Sequence, residues 1–277
     1  VIRFHPITGE PMLLAPERAN RPNALGTQAS RPQSTGEQEC PFCAGNEQET
    51  PPEIARIGDP WRARVFPNKY PATAHHEVIV ESPRHDADYD SLDDALALYV
   101  DRYRALIARD GVQSVSLFKN HGPFAGASIE HPHSQIIGTD FVPPRIAREL
   151  AAFERASSCP LCDDPGTIID ANDAFVWLTP HGSAMPYQQW IVPRLHAPEM
   201  NDIAALAPLL ARAARASLTI EPSFNWIFMN FARAPRAHWY VEIFPRLAMI
   251  AGFEIGSGTA INIVDPAQAA VRLRTAV

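Results

Sequence analysis

The chain has 277 residues, 46% of them hydrophobic and 20% charged, with a formal net charge of −7. That length buries a large core, as one big domain or as two fused smaller units, and the acidic balance argues against a general nucleic-acid binder, which needs clustered Lys and Arg. No apolar run reaches the ~18 to 20 residues of a membrane span, and no charged-then-apolar signal segment is read at the start.

The stretch to about Glu39 is rich in Pro and Arg and reads as an arm, with one strand-like run at Met12-Leu13-Leu14. Strands are predicted at Ala63–Phe66 and Glu77–Val80. A helix follows over Ser91–Arg109, with Ser91 as N-cap and Asp93 and Asp94 in the first turn, where the helix dipole favours acids. Its apolar face is Leu92, Leu96, Tyr99, Tyr103 and Leu106, at alternating spacings of four and three. Strands are predicted again at Ser114–Phe118 and Ser134–Gly138, joined by a Gly-containing loop.

The second half repeats this order. Phe175–Leu178 and Gln189–Val192 read as strands, Asp202–Ser217 as a helix, and Asn225–Asn230 and Trp239–Phe244 as strands. A β-β-α-β-β pattern thus occurs twice, about 105 to 120 positions apart. A Gly-rich loop and a short helix, Pro266–Thr275, end the chain.

The four cysteines form two C-P-x-C pairs, Cys40 with Cys43 and Cys159 with Cys162, each opening one half. Close pairs in a large chain favour metal ligation in a reducing compartment over disulfides, which makes the cytoplasm the expected location. A redox dithiol and unligated thiols are the competing readings. Zinc prefers four thiolate or imidazole ligands, and each half supplies two histidines in the same order: His85 and His131, then His196 and His238. Two Cys₂His₂ sites follow, and two Zn²⁺ per chain.

The sharpest local signal is His131-Pro132-His133-Ser134-Gln135. In a strand, H-x-H places both imidazoles on one face. The corresponding segment of the second half, His238-Trp239-Tyr240, keeps only the first histidine. If His131 alone is a ligand, both metal sites stay complete and His133 is free for chemistry. A neutral imidazole has a lone pair able to attack phosphorus, and Gln135, Ser134 and the loop Asn120–Ser128 offer donors for the oxygens that gain charge. The bland alternative is a buried structural histidine.

These residues resemble the H-P-H-x-Q signature of the galactose-1-phosphate uridylyltransferase family, in the histidine-triad superfamily. The likeness runs along nearly the whole chain: Leu14–Pro22, Val65–Pro71, Ser82-Pro83-Arg84-His85, and Asn120 with Gly126-Ala127-Ser128. It implies an α+β fold of two fused histidine-triad-like motifs, each an antiparallel sheet with flanking helices, here 1–150 and 151–277. It makes His133 the covalent nucleophile and Gln135 the residue that binds the transferred phosphoryl group. Arg18, Arg21, Asn68, Asn120, Gly126 and Ser128 would meet the nucleotide and its phosphates, and Phe253 and Glu254 the sugar. The implied partners are a nucleotide sugar and a hexose 1-phosphate or phosphate, and the implied assembly is a homodimer.

One departure bears on the substrate. Ala248 stands where the uridylyltransferases place a lysine, and Phe253 where they place a tyrosine. The run Gly252-Phe253-Glu254-Ile255-Gly256-Ser257-Gly258 is closer to the branch that includes ADP-glucose phosphorylase, which transfers AMP to inorganic phosphate. The leading reading is a UDP-glucose:hexose-1-phosphate uridylyltransferase. The alternatives are ADP-glucose phosphorylase or another adenylyltransferase, and a non-catalytic zinc-stabilised nucleotide-binding protein.

Overall fold

The structure, a computed structural model, describes residues 1–16, 40–247 and 250–276. Arg18, Arg21 and Ala248 lie outside the described residues.

The first half contributes β3 (Ala55–Ile57), β4 (Ala63–Pro67), β5 (His75–Val80), α1 (Asp93–Ile107), β6 (Ser114–His121) and β7 (His133–Thr139). After α2 (Pro144–Arg155), the second half contributes β8 (Gly166–Ala171), β9 (Phe175–Pro180), β10 (Gln189–Pro193), α3 (Ala207–Leu218), β11 (Phe224–Met229) and β12 (Tyr240–Pro245). The ten strands form one antiparallel sheet in the order β3-β4-β5-β7-β6-β11-β12-β10-β9-β8. That order is the same five-stranded arrangement written twice, once in each direction from the β6–β11 join. The predicted duplication is therefore real, with one strand more per half than the sequence pattern indicated.

Alternation along the strands sorts the sheet's two faces. Val65, Ile79, Leu117, Ile136, Trp177, Ile191, Trp226, Val241 and Ile243 point to one side, and with α1, α3 and α5 (Pro266–Arg274) they build a single core that runs across both halves. On the opposite side the halves differ. The second half is covered by α2, where Phe153 packs against Phe231 among Trp190, Val192 and Tyr240. The first half carries only the smaller cluster of Cys40, Phe42, Cys43, Phe66, Val78 and Val80, and is open beside it.

Several local expectations are corrected. Helix α1 begins at Asp93 with Leu92 at the N-cap, so Ser91 does not cap it. The acids at Asp93 and Asp94 sit in the first turn as predicted, and Leu96, Tyr99, Tyr103 and Leu106 are buried. The N-terminal segment is not a free arm over its described part: β1 (Ile2–Phe4) and β2 (Pro11–Leu14) pair, and β2 takes β13 (Ile261–Asn262) as a parallel neighbour. Ile7, Met12 and Leu14 are buried there, because the small sheet lies against the second half. Among the described residues no helix is long and apolar enough to cross a membrane.

Candidate active site

Residues 131 and 133 are not both on a strand, as the H-x-H spacing suggested. His131 precedes β7 and His133 opens it, so the two rings part company. The His133 ring lies on the open face of the sheet, with Gln135 two residues on and Val78 opposite Gln135 on β5. Ser134 and Ile136 point the other way, into the core. The Ser134 hydroxyl is therefore turned away from the site, which corrects its expected role as a donor there.

The His131 ring turns toward the cysteines. Its Nδ1 is 3.7 Å from Cys40 Sγ and 3.5 Å from Cys43 Sγ, and His85 Nδ1 is 3.4 Å from Cys43 Sγ. The second cluster is built alike: His238 Nδ1 lies 3.6 Å from Cys159 Sγ and 3.4 Å from Cys162 Sγ, and His196 Nδ1 lies 3.5 Å from Cys162 Sγ. In each cluster all four ligand atoms fall within 4.8 Å of one another. A tetrahedral ion with the usual Zn–S and Zn–N lengths would separate sulfur from nitrogen by about 3.6 Å, so both clusters have the size of a metal site. Second contacts orient the rings: His131 Nε2 donates to the Ser82 carbonyl (2.7 Å) and His196 Nε2 to the Pro235 carbonyl (3.1 Å), leaving each Nδ1 lone pair toward the cluster. Burial pushes His131 and His238 down to about 4, so both are neutral, as ligation requires. The first cluster is the more enclosed; in the second, Cys162 and His196 are exposed.

Between the two cysteines of the first pair, Phe42 packs its ring edge-on to His133, with centroids 5.2 Å apart, and against Phe66 at 5.5 Å. The Cys40–Cys43 turn thus also forms a wall of the cavity. The second pair has Leu161 at that position.

His133 Nδ1 is 2.8 Å from the His131 carbonyl oxygen. A carbonyl only accepts, so Nδ1 carries the proton and Nε2 keeps the lone pair. No described side chain bonds that Nε2, and the ring borders a cavity of about 610 Å³. Burial holds the imidazole below its ordinary range, against the opposing pull of the His131 carbonyl, and the Lys119 charge lowers it further.

Gln135, Asn68 and Ser128 line the same cavity. The orientation of Gln135 is set by His76, which sequence reasoning missed. The Ala72 N–H donates to His76 Nδ1 (3.0 Å), so His76 Nε2 carries the proton and donates to Gln135 Oε1 (2.9 Å). Asn68 accepts from the Tyr70 N–H through Oδ1 (2.8 Å) and donates through Nδ2 to the same Gln135 oxygen (3.3 Å). With its oxygen held twice, Gln135 presents its NH₂ group to the cavity.

Asn120 and Gly126 do not line this cavity themselves; Gly126 stands two residues before Ser128, which does. Asn120 Oδ1 accepts from Asn225 Nδ2 (2.8 Å) across the join of the two halves, and Asn225 also donates to the Ala125 carbonyl (3.0 Å). The loop itself depends on glycine. Gly122 and Gly126 have φ of +80° and +85°, and a Cβ on Gly122 would come within 2.4 Å of Ser223 Oγ.

Phe253 and Glu254 lie on α4 (Gly252–Ser257), outside this cavity. Glu254 accepts from the Ala251 N–H at the start of its own helix and borders a different depression with Met185 and Ile250, while Phe253 is half exposed.

Two antiparallel half-sheets joined edge to edge, with His133 at the start of β7 in one half and Tyr240 at the start of β12 in the other, define the class of the fold as fused histidine-triad. Residues 23–142 match a family model described as the N-terminal domain of a domain of unknown function, DUF4931. ADP-glucose phosphorylase of Arabidopsis thaliana is 29% identical, over 99% of this chain and 92% of its own. A crystal structure of an ADP-glucose phosphorylase from that plant, with bound ADP-glucose, has a TM-score of 0.89, covering 99% of this chain and 98% of the other. Galactose-1-phosphate uridylyltransferase of Thermotoga maritima is 25% identical, over 99% of this chain and 97% of its own. A uridylyltransferase structure shares the fold at 24% identity, with a TM-score of 0.76 over 99% and 97% of the two chains. Along nearly its whole length the chain is thus similar to proteins of the galactose-1-phosphate uridylyltransferase-like kind.

Proposed function

We propose that this chain is a nucleotidyltransferase working through a covalent nucleotidyl-His133, with a nucleotide sugar as donor. One observation carries the reading: an imidazole with its Nδ1 proton committed to the His131 carbonyl and its Nε2 lone pair open to a cavity also lined by Gln135, Asn68 and Ser128. Nε2 attacks the nucleoside-bearing phosphorus, forming the N–P bond as the bond to the departing hexose 1-phosphate breaks. The Gln135 NH₂ group donates to the non-bridging oxygens, where charge builds, and Asn120, Gly126 and Ser128 hold the neighbouring phosphate. An acceptor oxygen then attacks the same phosphorus and frees His133. A non-catalytic binding module would need no imidazole oriented in this way.

For the transferred group, the 29% likeness to ADP-glucose phosphorylase over nearly the full length of both chains supports adenylyl transfer from ADP-glucose to inorganic phosphate. Uridylyl transfer between UDP-glucose and hexose 1-phosphate is the second reading, supported by the likeness to the uridylyltransferase of Thermotoga maritima. Each sugar nucleotide, labelled at the nucleoside-bearing phosphate, should be tested for transfer of base-stable, acid-labile label to the protein. Label from ADP-glucose that inorganic phosphate discharges as ADP is the expected result. Label from UDP-glucose alone selects the second reading, and none from either rejects nucleotidyl transfer.

The metal in both clusters is read as zinc, which suits a donor set of two thiolates and two imidazoles at this spacing and which stays clear of the reacting atoms. Four free cysteines arranged as ligands fit a reducing compartment, the cytoplasm. The chain is read as a fusion of two histidine-triad-like halves, 1–150 and 151–277, with α2 at the crossover.

A homodimer completes the site in this reading. Phe253 and Glu254 cannot serve the sugar from outside their own chain's cavity, whereas a second copy could supply them. Ile250, Phe253, Ile255 and Phe4 leave an exposed apolar area around α4 and β1 that such a contact would cover. Light scattering should report twice the 30.5 kDa chain mass, and Phe253→Asp should give monomers that bind nucleotide yet lose turnover. An active monomer would remove the shared site.

A further inference from the structure

Beneath His133, on the core side of the sheet, lies a charged cluster that the mechanism above does not use. Lys119, one of two lysines in the chain, is buried with Glu81, their side chains 1% and 4% exposed. Its ammonium donates to Glu81 Oε2 and to the backbone carbonyl of His133 (3.3 Å), and sits over the rings of Trp226 and Tyr89 at 5.2 and 5.7 Å. Glu81 Oε1 accepts from the hydroxyls of Tyr99 and Ser134.

Two features separate this cluster from ordinary core packing. The first is where strand pairing stops. β7 pairs with β5 as far as Val80↔His133, but with β6 only as far as Phe118↔Gln135. On the β6 side, Lys119 takes over the His133 carbonyl at the point where the ladder has ended. The second is the internal control that the duplication provides. Phe118↔Gln135 corresponds to Ile227↔Glu242, which sets Lys119 against Phe228; Ile79↔Ser134 corresponds to Ile191↔Val241, which sets Ser134 against Val241 and Glu81 against Pro193. The half with tyrosine at the His133 position has apolar residues and a proline at all three places. A buried ion pair costs desolvation that an apolar trio avoids, so packing alone does not call for it.

We propose that the Lys119–Glu81 pair is a positioning device for the nucleophile: Lys119 clamps the His133 carbonyl, and Glu81 clamps the next side chain, Ser134. The strand is thereby fixed where its hydrogen-bonded neighbour is lost, and the His133 ring is held in line with the phosphorus. The proposal rests on the nucleotidyl-His133 reading.

The test compares wild type with the double variant Lys119→Met/Glu81→Gln, which removes both charges at nearly constant volume. Metal content, melting temperature and the single-turnover rate of nucleotidyl-protein formation from ADP-glucose and UDP-glucose are measured. The double variant should keep both metals and melt within a few degrees of wild type. It should also form the nucleotidyl-protein roughly 10- to 100-fold more slowly at saturation, with the half-saturating concentration little changed, because a misplacement of about 1 Å costs that order of rate. Tyr99→Phe, which takes one hydroxyl from Glu81 and leaves the pair intact, should slow the same step by a smaller factor and covers the case in which the double variant does not fold. A wild-type rate in whichever of these variants folds overturns the proposal, as does a rate loss matched by loss of metal or by a parallel rise in half-saturation. If wild type forms no nucleotidyl-protein, the functional reading itself fails, and this proposal with it.

Discussion

His133→Gly should abolish nucleotidyl transfer, by roughly 10³- to 10⁶-fold as for other covalent nucleophiles, while metal content and fold are retained. The reason is the division of labour between the two histidines. His131 is turned to the thiols through Nδ1 and anchored through Nε2 to Ser82, whereas His133 touches no ligand atom of the cluster. The glycine variant leaves an imidazole-sized hole walled by Phe42, so added free imidazole should restore cleavage of the nucleotide sugar and yield a nucleotidyl-imidazolide. His131→Asn should lose metal and stability together. Gln135→Ala keeps the nucleophile and should cost about 10²- to 10³-fold, the range for a lost oxyanion donor. Zinc content and turnover, measured side by side for the two histidine variants, check the assignment. Metal loss in His133→Gly with activity retained in His131→Asn would reverse it.

The second large effect concerns the metals. Freshly purified protein should contain close to two zinc equivalents, and Cys40→Ser should destabilise it severely. Structural zinc binds zinc-finger peptides with an apparent ~10 to 16 kcal/mol, as large as the ~5 to 15 kcal/mol that holds a typical domain folded. A strong chelator should empty the second site before the first, since Cys162 and His196 are exposed while Cys40, Cys43 and His131 are buried. Activity should survive the first loss and fail with the second, when the Cys40–Cys43 turn releases Phe42 from His133. Zinc release monitored alongside turnover reads out that order. Simultaneous release, or no metal in the native protein, would contradict it.

Much of this architecture was legible because each signal had a partner elsewhere in the chain. The eight strands predicted from apolar runs are all present, and the twice-repeated Cys and His order matches the two Cys₂His₂ clusters of the structure. What stayed hidden had no local signature. β3 and β8 are edge strands, short or bulged, with mixed exposure. Helix α2 buries only Glu149, Ala152 and Phe153, and Glu149 is tied to Arg145 and Tyr240 rather than to solvent. His76 orients Gln135 through a fold-back of β5 onto β7 that spacing does not disclose. The place of Phe42 is visible only once the C-P-x-C turn is seen to face His133. Phe253 and Glu254 were recognisable by resemblance, but their distance from His133 in one chain is a fact of three dimensions.

The join at β6 and β11 sets what a shorter relative of this chain could be. The two strands pair from Phe224↔His121 to Phe228↔Leu117, and the central core passes beneath them without a break. A polypeptide ending after the first half would expose the β6 edge in the middle of what is now a continuous sheet, with unpaired backbone donors and acceptors beside the glycine-containing loop that follows β6. It would also lose the Asn225 amide that holds Asn120. Pairing that edge with a second copy of itself would cover it, and the result would carry His133 twice. In the fused chain the β11 edge is the permanent neighbour of β6, and the second half carries Tyr240, Phe228 and Val241 where the first carries His133, Lys119 and Ser134.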